Sequence, residues 1–164
     1  MTIFRFLLFV PFFISGLSDG AAAQGTQVAF GAIQQNDGLP VEVTSDSLAV
    51  DQNAGTATFT DNVIIIQGEM RLSANEVTVF YDTEAQSIER IEAIGDVILI
   101  SGEDAAESER ADYNVDDGTI VMTGNVLVAQ GPSALTADRM TVQMSDGTAQ
   151  MSGRVKTTLQ SGDN

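Results

Sequence analysis

The chain has 164 residues, a formal net charge of −16, and no cysteine, histidine or tryptophan. Disulfide stapling, His- or Cys-based catalysis and most zinc sites are closed to it together. With 7 basic against 23 acidic residues there is no patch to neutralise phosphates, so nucleic acid is not an expected partner and an anionic membrane surface is disfavoured.

Residues 1–23 carry one cation, Arg5, then the apolar run from Phe6 to Ile14, and end in Ala21-Ala22-Ala23, an A-x-A-type cleavage site. A secretory signal peptide is expected here. An uncleaved anchor is the alternative, but a spanning helix needs about 20 apolar residues, and Ser15, Gly16, Ser18 and Asp19 interrupt this run. The mature chain is expected to begin near Gln24, leaving one domain's worth of sequence. Residues 24–40 read as an N-terminal arm or short edge strand: Val28 and Phe30 alternate before a turn cluster ending at Gly38. The alternative is a disordered tail, because termini order only when tied down.

Residues 41–160 repeat themselves, and residues 161–164 are left as a tail. The stretch GTIVMTGNVLVAQG, from Gly118 to Gly131, has counterparts beginning at Gly55, Ser87 and Gly147. Aligned on the valine after each internal punctuation, the units place Val63, Val97, Val126 and Val155 at spacings of 34, 29 and 29 residues, a near-constant period. Each repeated stretch is preceded by a shorter strand: Ser45 to Val50, Ser73 to Val79, Ala111 to Val115 and Thr136 to Val142. Turn signals such as Asn53-Ala54-Gly55, Asp116-Asp117-Gly118 and Ser145-Asp146-Gly147 separate the halves. Ile120, Met122, Val126 and Val128 share one parity, a period of 2 and not 3.6. In the last unit Met151, Val155 and Leu159 oppose Arg154, Lys156 and Thr158. The segment from Glu84 to Ile94 is the one serious helical candidate, and its likeness to the other units assigns it to strand.

Many short strands at this turn spacing predict an all-β fold of hairpins joined in series. Their common parity predicts one continuous apolar interior, and a first and last strand with unpaired edges. The residues expected to face inward are Phe59, Val63 and Ile65 from the first unit, and Ile91, Val97 and Leu99 from the second. The third contributes Ile120, Met122, Val126 and Val128, and the fourth Met151 and Val155. They are mid-sized aliphatics with few aromatics to plug a centre, and Gly95, Gly124 and Gly153 mark places for close backbone approach. Periodicity alone does not distinguish a filled core from a lined groove.

No catalytic residues are assigned. Asp61, Asp96, Asp112, Asp116, Asp117, Asp138 and Asp146 recur near turns, where Asp has a local role in bonding nearby backbone, and none is singled out as half of an acid–base pair. Dense calcium-loop patterns are missing, so no metal and no cofactor is expected. The acidic run from Glu103 to Glu109 reads as a solvated loop.

The segment from Pro40 to Asp51, the punctuations Asp61-Asn62-Val63, Gly95-Asp96-Val97 and Gly124-Asn125-Val126, and the stretch from Leu135 to Met140 together resemble the LptA/OstA-like family of periplasmic lipopolysaccharide transport proteins. The resemblance covers Val41 to Leu159 and implies an open-ended β-jellyroll of stacked antiparallel strands whose interior shields lipid A acyl chains. It further implies a periplasmic bridge that is not an enzyme and that assembles end to end. One end would meet an inner-membrane-anchored partner of related fold (LptC-like), the other an outer-membrane translocon (LptD-like). The twelve inward residues would then be the lipid-binding face. A lipid-free exported protein polymerising through its strand edges is the alternative.

Overall fold

The computed structural model describes residues 26–29, 39–82, 84 and 86–158. The expected signal peptide, part of the arm, Leu159 and the tail lie outside them. Among the described residues, eleven strands form one antiparallel sheet: β1 (Thr26–Ala29), β2 (Glu42–Thr44), β3 (Ser47–Asp51), β4 (Thr56–Gln67), β5 (Met70–Asp82), β6 (Ser87–Ser101), β7 (Asp104–Asn114), β8 (Thr119–Gln130), β9 (Ser133–Gln143), β10 (Thr148–Ser152) and β11 (Lys156–Thr158). Its order is β1-β10-β9-β8-β7-β6-β5-β4-β2, with β3 also on β4 and β11 also on β9. Among the described residues there is no helix. The helical candidate is a turn at Glu84 and Gln86 followed by β6, as its likeness to the other units implied.

The long strands are bent. Register shifts fall between Thr60 and Val63, Ser73 and Glu76, Ile94 and Val97, Glu107 and Arg110, and Thr123 and Val126. At three of these bends two successive residues take positive φ: Asp61-Asn62, Gly95-Asp96 and Gly124-Asn125. Gly153-Arg154 does the same where β10 gives way to β11. Such bulges bend a strand and raise its local twist, so a row of them folds the sheet into two walls. One wall runs β3, the first halves of the even strands and second halves of the odd ones, then β10 and β1; the other runs β2, the complementary halves and β11.

A single apolar cluster fills the space between the walls, from Val63 and Ile65 at one end to Ala149 and Met151 at the other. Period-2 alternation makes this possible, since each strand sends every second side chain inward. In β7 the pattern corrects the sequence reading of the acidic run. Residues 104–109 are strand, not loop, because Ala106 and Ser108 are buried while Glu107 and Glu109 point to water. Alternation hidden among carboxylates still has a face small enough to bury.

Candidate functional site

The interior is built mostly from the residues the sequence pattern selected. Val63, Val97, Leu99, Met122, Val126, Val128 and Met151 are fully buried, and Ile65, Ile91 and Ile120 nearly so. Phe59 is only half-buried, because among the described residues only the short β3 extends the wall beyond it. Val155 does not join them. It is 37% exposed and stands in the break between β10 and β11, and no further strand among the described residues covers the position its counterparts occupy. Val77, Val79, Leu72, Leu135, Met140, Val142 and Met144 also line the interior, and sequence reasoning passed over them. Their signal was present as the second-face parity of the connecting strands.

The two ends differ in chemistry. Met122, Met140 and Met151 stand opposite one another across β8, β9 and β10, with Met144 buried nearby. Methionine is unbranched and adapts its shape to its neighbours, so this half of the interior can repack. At the other end Leu48 and Val50 on β3 pair with Phe59 and Ala57 and so share the inward parity, yet they are 55% and 64% exposed. With Leu39 and Val41 they make an apolar mouth. A cavity of about 40 Å³ lies just inside, between Ile65, Met70 and Leu72 of one wall and Ile91, Ala93, Tyr113 and Ile120 of the other. About 10–15 Å³ of such space holds one water. The cavity therefore has room for a few waters and is too small for an acyl chain as the walls stand.

The outer side of the bends carries a polar ladder. Asn62 Nδ2 donates to Asp46 Oδ2 at 2.7 Å, Asn75 Nδ2 to Asp96 Oδ2 at 3.0 Å, and Asn125 Nδ2 to Glu109 Oε1 at 2.6 Å. Arg154 Nε donates to Asp138 Oδ1 at 3.0 Å. Partners lie 16 residues apart in three rungs and 21 in the other. The recurring aspartates thus include bend locks as well as turn residues, which the sequence reading did not separate. The Arg154 guanidinium holds the Asp138 carboxyl below its usual range. Asp146 keeps the expected turn role, accepting from Thr148, and is lowered in the same sense.

On the outer face Arg90 and Arg110 bracket Glu92 and Asp112 at 2.7 to 3.2 Å, and Arg90 stacks 3.8 Å from the centre of the Phe80 ring. Burial pushes the Glu92 carboxyl up, but bonds from both guanidiniums and their charges outweigh it and lower the net value. The guanidinium of Arg110 is raised, chiefly by its bonds to Asp112 and Glu92. Two of the few cations are thereby engaged with carboxylates of their own chain. Among the described residues no three acidic side chains converge as a metal set.

The likeness to known proteins follows the same boundaries. Residues 42–157 match the family described as LptA/(LptD N-terminal domain) LPS transport protein. An uncharacterized protein of Rhizobium meliloti (strain 1021) is 33% identical over 113 residues, covering 65% of this chain and 61% of that protein. The lipopolysaccharide export system protein LptA of Haemophilus influenzae is 34% identical over 65 residues, 39% of this chain and 38% of that one. The chain thus spans less than two thirds of either relative. The crystal structure of LptH, the LptA-homologous periplasmic component of the lipopolysaccharide transport device of Pseudomonas aeruginosa, superposes with a TM-score of 0.67 at 18% identity, covering 75% of this chain and 96% of that one. At that identity it establishes the fold, an LptA-like β-jellyroll. With the family match extending over most of the sequence, from the start of β2 into β11, the chain belongs to the LptA/(LptD N-terminal domain) family of lipopolysaccharide transport proteins.

Proposed function

We propose that this protein is a non-enzymatic periplasmic carrier that shields the acyl chains of lipopolysaccharide between its two walls and passes them from the inner toward the outer membrane. The observation that carries the reading is the continuity of one apolar interior from an open mouth at Leu48 and Val50 to the methionine end. Exposing an acyl chain to water costs about 0.8 kcal/mol per CH₂, and an apolar trough running the length of the molecule removes that cost at every step. The walls must part for a chain to enter, and the hinge for that motion is the row of bends. The lips are the hairpin ends, where half-buried Met70 and Tyr113 face one another across the cavity. Sugars and phosphates stay in solvent, away from a surface of net charge −16. Copies stack end to end through their outer strands by β-augmentation, with an LptC-like partner at one end of the bridge and an LptD-like partner at the other.

Photo-crosslinking residues at Val63, Leu99, Val126 and Val128 are expected to capture lipopolysaccharide, and those at the exposed Asn125 and Lys156 are not. Equal labelling of both sets contradicts the reading. A second reading is favoured by the closed packing of the interior: a lipid-free protein that polymerises through its strand edges. Concentration-dependent rods that never retain lipid on purification support it.

A further inference from the structure

The N-terminal strand β1 lies at the far end of the sheet from β2, its sequence neighbour. It pairs antiparallel with β10, in the register Thr26 to Met151, Gln27 to Gln150, Val28 to Ala149 and Ala29 to Thr148. Four of the five residues of β10 are therefore occupied on their outer edge by the chain's own N-terminus. Among the described residues, the second half of the last bent strand, β11, has no such cover.

Strand polarity gives this a consequence for association. The sheet is antiparallel throughout, so β4, β6, β8 and β10 run one way and β3, β5, β7 and β9 the other. In an end-to-end stack of copies in one orientation, β3 of the next copy meets β10 on the same wall, antiparallel, and both strands have five residues. Strand β1 already fills that place with the same polarity as β3. Were β1 to stay, the incoming β3 would meet it parallel, and the alternation of the sheet would break at the joint.

We propose that β1 is an intramolecular cap of the β10 edge, which a second copy's β3 displaces when two molecules join. The inference rests on the end-to-end stacking proposed above and adds to it a control: a single molecule closes its own docking edge, and assembly requires exchange of one strand for another. The exposed Leu48 and Val50 make β3 the fitting replacement. They carry the inward parity and would extend the apolar interior across the joint, so exchange hides mouth residues that the capped monomer leaves in water.

Sedimentation of two variants of the full chain tests this. Deleting residues 26–29 is expected to tighten self-association at least tenfold. Because that deletion could also disturb folding, Gln27→Cys with Gln150→Cys supplies the opposite arm in a chain otherwise free of cysteine. These positions pair in register, within the Cα separation that a disulfide accepts. The oxidised form is expected to associate at least tenfold more weakly than the same protein reduced. Association that is equal in both redox states and unchanged by the deletion overturns the cap while leaving stacking in place. Absence of association in every form overturns stacking and the cap with it.

Discussion

At the bend after Thr123 the backbone takes positive φ at Gly124 (84°) and Asn125 (48°), and a Cβ on Gly124 would stand 2.6 Å from Glu109 Oε2 and 2.8 Å from Glu109 Cβ. Gly153 is crowded in the same way by Asp138. Gly102 also has positive φ but nothing within 4 Å. Gly102→Ala is therefore expected to cost about 1 kcal/mol, for conformation alone, and Gly124→Ala about 2 kcal/mol or more, for conformation plus the clash. Urea unfolding of the two variants measures the difference, and equal losses would mean that Glu109 does not lock the bend. The acid limb of stability belongs to this scale too. The folded Glu92 carboxyl lies below its ordinary value, so its ion pairs stabilise the fold fully above the unfolded value of about 4.3. That stabilisation is lost as pH falls through the lower folded value. Glu92→Gln is expected to flatten the decline of the urea midpoint below about pH 4.5; an unchanged decline would assign the acid sensitivity elsewhere. The punctuations Gly95-Asp96 and Gly124-Asn125 were visible in the sequence, but not their partners Asn75 and Glu109. Those lie on a neighbouring strand, and a side-chain bond across strands leaves no mark on local propensity.

At the scale of the strand, parity was legible wherever aliphatics alternate with polar residues, as in β8. It was obscured in β7, where only Ala106, Ser108 and Ala111 bury themselves among carboxylates, and it misled at Val155, where the period holds but the strand breaks between β10 and β11. Edge effects of this kind are tertiary, so repetition in sequence does not report them. The contrast between mouth and middle gives a paired prediction. Val128 is fully buried, and Val128→Asp places a charge there without a partner, at a cost on the order of 3–5 kcal/mol. Its loss of transport would accompany loss of fold. Val50, at the exposed mouth, tolerates Asp within about 0.5 kcal/mol, and Val50→Asp is expected to reduce lipid capture with an unchanged thermal midpoint. Normal capture by that variant would exclude the mouth as the route of entry.

For the whole molecule, the stacked architecture and the single interior could both be read from a period of about 29 residues and a parity of 2, whereas the β10 edge, expected to be unpaired, is covered by β1. The family resemblance rested on the same repetition. What repetition could not report is that the walls close on one another, leaving a cavity of about 40 Å³, or that the N-terminal strand crosses to the opposite end of the sheet. Both depend on contacts between segments far apart in the chain. Under the proposed function the closed interior opens for lipid, and binding and stability then become one equilibrium. Lipopolysaccharide at a hundredfold its dissociation constant is expected to raise the thermal midpoint by about 5–10 °C for a chain of this size. Native mass spectrometry of the protein purified from its native cells tests lipid carriage most directly. A bound species carrying several acyl chains, released when the walls are unfolded, is expected. A bare chain mass from lipopolysaccharide-producing cells, under conditions that preserve other lipid complexes, would contradict it.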